Sequence, residues 1–210
     1  MDRPNARPPA LFVGDAPGLD FLNSIATPVD TPVDWLDDGD GLLEWLAQAK
    51  LVPADALNEL KALALPGELD TVAGQARALR QWFRAFVRKH MGRALTPKAL
   101  GELGPLNRLL ERDEAFSRIS RQRHHDGGRL ELMTMRRWRS PEALLLPIGE
   151  ALARFVCEED LADVKACEGE SCTLLFVDRT GRRVRRWCSM ATCGNRAKQA
   201  AHRNRLRSRQ

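Results

Sequence analysis

The chain has 210 residues, 33 of them Lys or Arg and 28 Asp or Glu, with five cysteines, five tryptophans and no tyrosine. An apolar share of 43% beside 29% charged residues fits a soluble globular protein of one ordinary domain or two small ones; it argues against both a disordered and a membrane chain. No run approaches the roughly 18–20 apolar residues of a spanning helix, and the opening MDRPNARPPALFVGDAPG lacks the apolar stretch of a secretory signal. The expectation is a cytoplasmic protein, and in that compartment disulfides are rare.

The first 25 residues are rich in Pro and Gly until the short amphipathic stretch Leu19 to Asn23. A tandem TPVD over 27–34 reads as a turn-rich loop. Asp40 is placed to cap a helix whose apolar face is Leu42, Leu43, Trp45 and Leu46. Pro53 opens another, with Leu57, Leu60 and Leu63 at helical spacing. The longest periodic segment runs from about Glu68 to Lys89, where Val72, Ala76, Leu79, Phe83 and Val87 recur while Arg77, Arg80, Arg84 and Arg88 keep to other faces. Thr96-Pro97 starts a helix through Leu100, Leu103, Leu106 and Leu110. Phe116–Ser120 and Leu130–Met135 then read as two strands joined by a Gly-containing turn. Ser140-Pro141-Glu142 begins a last body helix carrying Leu144, Ile148, Leu152 and Phe155.

The body is therefore mostly helical with one hairpin, spans 1–158, and is long enough to fold alone. Its tempting residues have plain structural readings. His124 and His125 are adjacent in a turn, point apart and have no third ligand in view. The tryptophans at 35, 45, 82 and 138 read as core, and Cys157 as a buried small hydrophobe. The body holds no nucleophile elbow, phosphate loop, dinucleotide fingerprint or HExxH, so no enzyme is expected.

Residues 166–210 are different. They hold 11 basic and three acidic residues, against 22 and 25 in the first 165, and four of the five cysteines. Cys167 and Cys172 form one pair with four residues between; Cys188 and Cys193 repeat that spacing after a further fifteen residues. Two knuckles of this kind supply the four tetrahedral ligands of structural zinc. Four thiolates leave no open position for water, so the metal should hold the fold and do no chemistry. Between the pairs, Thr173–Val177 reads as a strand, Asp178–Gly181 as a turn and Arg182–Trp187 as a return strand. A helix follows Ser189. Knuckle, hairpin and helix in this order describe a small treble-clef-like zinc finger over 159–210, and the fold class expected is mainly α with a small β-hairpin.

The terminal helix sorts its cations into two stripes. Arg196, Arg203 and Arg207 lie together, Lys198, His202, Arg205 and Arg209 lie nearly opposite, and small residues separate them. Such a helix suits a duplex groove walled by phosphates, with Arg182, Arg183, Arg185 and Arg186 adding charge from the hairpin. Arginines reach phosphate as readily as guanine, so no base sequence can be read from them.

At this point the residues carry a resemblance. Cys193-Gly194-Asn195-Arg196, preceded by Arg185-Arg186-Trp187-Cys188-Ser189-Met190, resembles the CGNR zinc finger, and Phe176-x-Asp178 fits its pattern. The body is similar to the ABATE domain that precedes this finger in a family of proposed stress-induced transcription regulators, on the opening motif Leu19-Asp20-Phe21-Leu22-Asn23-Ser24. The resemblance implies zinc on Cys167, Cys172, Cys188 and Cys193 and suggests DNA binding by the finger, with a sensing or dimerising body. Asp20 and Asn23, the polar residues of the motif, are the candidates to line a ligand pocket; capping a helix or satisfying local backbone is their other reading. A homodimer would raise the effective concentration of a weakly binding finger. The leading expectation is thus a nucleoid-associated regulator on duplex DNA, with one zinc per chain. The alternatives are an RNA-binding or ribosome-associated zinc protein and a zinc-stabilised module that docks an acidic protein partner.

Overall fold

A computed structural model of the chain describes residues 7–27, 31–121 and 130–207. Three body helices surround a short one. Helix α1 (Pro17–Leu22) is six residues long, and its Gly18, Leu19, Phe21 and Leu22 are all buried. It packs against α6 (Leu145–Glu158) and α4 (Glu68–His90), and α4 also packs on α2 (Gly39–Gln48). Gly18 permits the closest approach, because a Cβ there would sit 2.7 Å from the Phe155 Cβ. Phe21 meets Trp45 edge-on with ring centroids 5.7 Å apart, and Phe83 meets Phe155 edge-on at 6.0 Å. Edge-to-face pairs add to the burial of the rings themselves.

The sequence pattern places most helices well and some caps poorly. Helix α2 is capped by Asp38, whose side chain accepts from the Gly41 N–H; Asp40 sits two residues further on, in the first turn, and pairs with Lys61. Pro53 caps α3 (Ala54–Leu63), with Leu57 and Leu60 buried and Leu63 exposed. The helix expected from Thr96 to Leu110 is divided into a 3-10 segment (Pro97–Leu103) and α5 (Gly104–Leu110). Ser140-Pro141 likewise opens a 3-10 turn (Pro141–Leu144) before α6 begins.

Three expectations for the body need correction. Part of the TPVD tandem is strand, because β2 (Val33–Asp34) pairs antiparallel with β1 (Ile25–Ala26). Arg80 does not keep to an outer face of α4. It is buried, and its guanidinium grips Asp34 of β2 at 2.6 and 2.8 Å, which satisfies the charge that burial would otherwise strand. Cys157 is exposed. It follows Phe155 by two residues, which turns it about 200° away from the buried stripe. The central hairpin is as expected, β3 (Ala115–Arg121) antiparallel to β4 (Leu130–Arg136); His124, His125 and the turn lie outside the described residues. Trp35 and Trp45 are core residues, whereas Trp82 and Trp138 are half-buried.

The C-terminal segment shares the body's apolar core. Leu174, Leu175, Phe176 and Val177 belong to the same buried cluster as the residues of α1, α4 and α6. Its strands are β5 (Val164–Ala166) and β6 (Leu175–Val177), paired antiparallel. The expected return strand over Arg182–Trp187 is absent: Val184 is exposed and Arg183 takes a left-handed backbone (φ 51°). With cations on both sides of a single valine, that run has no apolar face to bury. The partner of β6 comes instead from just before the first cysteine, where Val164 is buried. Helix α7 (Asn195–Arg207) ends the described chain.

Candidate metal centre and basic helix

The first knuckle joins β5 to β6. Cys167 donates its N–H to Leu174 O at 2.9 Å, continuing the strand ladder, and Cys172 N–H closes a turn on Gly169 O at 3.0 Å. The second knuckle is the start of the terminal helix. Ser189 caps it, its hydroxyl accepting from the Thr192 N–H at 3.0 Å, and a π-turn (Met190–Gly194) brings Cys193 inward. Gly194 is required here, since a Cβ would lie 2.6 Å from both the Met190 sulfur and the Trp187 ring.

The four cysteines converge. All four Sγ atoms lie within 4.8 Å of one another, with Cys172–Cys188 at 3.9 Å and Cys188–Cys193 at 3.6 Å. A tetrahedron with zinc–sulfur arms of about 2.3 Å has edges of about 3.8 Å, so these separations fit one zinc ion. The Cys188 N–H also donates to Cys167 Sγ at 3.2 Å, a bond that stabilises a thiolate. Without a cation, the crowded sulfurs oppose one another. Hydrogen bonding from Cys188 draws the Cys172 thiol down to about 5, while that same contact, with burial and the neighbouring negative charge, drives Cys188 up. Burial pushes Cys193 up to about 12. Only a dication lets all four ionise together. When bound, zinc supplies a structural cross-link between the two knuckles; none of the four sulfurs is left over for another ligand.

Behind the centre, Asp178 is buried and organises the turn. Its Oδ1 accepts from the Thr180 N–H and hydroxyl, and its Oδ2 from Lys165 and the Arg185 N–H. Although burial alone would raise it, these donors hold its carboxyl well below the usual range. Arg185 is occupied as well. It lies over the Phe176 ring at 4.2 Å, pairs with Asp15 and donates to the Cys188 carbonyl. Arg183 pairs with Asp163 at 2.5 Å, and Arg186 pairs with Glu168 at 2.6 Å while stacking on Trp187. Arg182 is exposed and has no partner among the described residues.

Helix α7 presents its cations openly. Arg196, Lys198, Arg203 and Arg205 are exposed, and among the described side chains of the helix only Ala197 and Ala200 are half-buried. Arg207 ends the helix, and no acid lies between Asn195 and Arg207.

Asp20 and Asn23, the candidate pocket residues, both bond backbone. Asp20 accepts from the Gly14 N–H at 2.8 Å, and burial raises its carboxyl to about 6. Asn23 is buried and behaves like one residue of a strand: its amide donates to Leu175 O at 2.8 Å and accepts from Leu175 N–H at 2.9 Å. The motif's asparagine thus fastens α1 to β6 of the metal-binding segment. No sequence signal marked this 152-residue separation.

Compared with known families, residues 15–159 match the ABATE model, described as "Putative stress-induced transcription regulator". The chain belongs to the ABATE family. Residues 164–206 match the CGNR zinc finger, which covers all four clustered cysteines. Among curated proteins none matches the chain. Neither family of this ABATE protein is an enzyme family. Among the described residues no helix is long and apolar enough to cross a membrane.

Proposed function

We propose that this ABATE protein is a transcription regulator whose zinc finger binds duplex DNA. One observation carries the reading: α7 is a solvent-exposed helix with cations on both flanks and no acid, held by a metal scaffold. Phosphate contacts of this kind supply sequence-independent affinity. Arg182, Arg196, Lys198, Arg203, Arg205 and Arg207 form the contact surface. Arg183 and Arg186 join it by exchanging exposed carboxylate partners for phosphate, at small cost. Arg185 stays with the fold.

RNA is the second reading, and one observation argues against it. Recognition of unpaired bases uses exposed rings, yet Phe176 is buried and Trp187 is covered by Arg186. In this proposal residues 1–158 sense a ligand or dimerise, 159–210 read the nucleic acid, no reaction is catalysed, and the protein works in the cytoplasm on the nucleoid. A genome-wide map of crosslinked nucleic acid tests it. Enrichment of discrete DNA segments is expected; enrichment of RNA, or of neither, overturns the DNA assignment.

A further inference from the structure

Two cavities of about 590 and about 360 Å³ share Lys50, Leu51 and Glu150 in their walls, so they are lobes of one cleft. Both volumes lie in the range of small-molecule pockets. The larger lobe is mostly apolar, with Val52, Leu57, Met135 and Trp138 in its wall beside Arg136 and Glu150. The smaller one lies against the metal-binding segment, since Arg179 of that segment lines it beside Asp15.

The charges of the cleft are accounted for except one. Glu150 pairs with Arg136 and Arg154, Glu158 with Arg154, Glu159 with Arg179, and Asp15 with Arg185. Lys50, common to both lobes, has no side-chain partner among the described residues. Its backbone adds a second indication. Lys50 follows the end of α2 with φ 56°, and the bonds Lys50 N–H to Ala47 O and Leu51 N–H to Leu46 O close the helix. Glycine fills such a closing position at the lowest cost. A lysine held there in spite of that cost presents an unpaired cation at the mouth of an apolar lobe.

We propose that this cleft binds a small amphipathic acid, with its apolar body between Val52, Leu57 and Trp138 and its acidic group on Lys50. This deepens the sensing role given above to the N-terminal unit and rests on it for the consequence, though not for the binding. The route to the finger is short. Arg179 donates to the Asp15 carbonyl, and Asp15 pairs with Arg185, which holds the Cys188 carbonyl.

The test is calorimetry on the zinc-loaded full chain with octanoate, octanol and octylamine. Saturable binding of octanoate is expected, at least tenfold tighter than octanol, with octylamine weakest. Lys50→Gly relieves the left-handed backbone and keeps the fold, so it should bind octanoate no better than octanol, while Lys50→Arg should retain the preference. Octanoate binding unchanged in Lys50→Gly, or no saturable binding by the wild type, overturns the site. Lys50-dependent binding that leaves duplex affinity unaltered upholds the site and removes the sensing role instead.

Discussion

Asn23 and Asp20 sit three residues apart on or beside α1 and do opposite things for stability. Asn23 closes two buried hydrogen bonds on Leu175. Replacing it with Ala strands a buried N–H and a buried carbonyl, which should cost about 2–4 kcal/mol in denaturant unfolding; a loss below about 0.5 kcal/mol, the size of an ordinary surface change, would mean that water replaces the clasp. Asp20 carries a penalty. Burial raises its folded-state carboxyl to about 6, above the roughly 3.9 of an unfolded chain. The folded state therefore holds that proton more tightly, and wild-type stability falls as pH rises from about 4 through 6. Asp20→Asn should exceed the wild type in stability at neutral pH, and the gap should close below about pH 4. Reading the difference between the two proteins cancels the loss of metal that acid causes in both. A gap that does not change with pH would show that Asp20 has an ordinary carboxyl.

At the scale of elements, what repeats was legible and what depends on a distant partner was not. The period of Val72, Ala76, Phe83 and Val87 predicts α4, and the period of Ile148, Leu152 and Phe155 predicts α6. Arg80 lies in the same buried stripe as those α4 residues, and its partners explain it: Asp34, on a strand hidden in the TPVD loop, and the Ser24 hydroxyl, which accepts from it at 2.9 Å. The finger divides similarly. Cysteine spacing gave the metal centre because ligand geometry is local to each knuckle, whereas the partner of β6 had to be found by burial of Val164, on the far side of Cys167. The exposed faces of α7 lead to a prediction of their own. Arg203 and Arg205 lie on opposite stripes, so a groove-bound helix needs both. Each change to Ala should weaken binding on every duplex sequence and lower the salt slope by about one. Dependence on Arg203 alone would place the helix along a single backbone, with the Arg205 side facing away.

At the scale of the whole molecule, a seam around α1 joins the body to the metal-binding segment. Asn23 holds Leu175, Gly14 O accepts from the Val177 N–H at 3.0 Å, and Asp15 pairs with Arg185. Metal-binding energy is folding energy in small zinc modules, so loss of zinc should reach across that seam. Chelation is expected to release amide protection over 164–207 and over α1, while α2 and α4 keep theirs. Release confined to 164–207, with α1 untouched, would mean that the two units stand independently. The most direct test of the account is duplex DNA affinity over a salt series, for the zinc-loaded chain and for Cys188→Ser. For about six phosphate contacts, log K against log salt should fall with a slope near about −5 in the zinc-loaded chain, and Cys188→Ser should lose zinc, affinity and most of that slope. Equal slopes and affinities in the two proteins, or no duplex binding by the zinc-loaded chain, would contradict it.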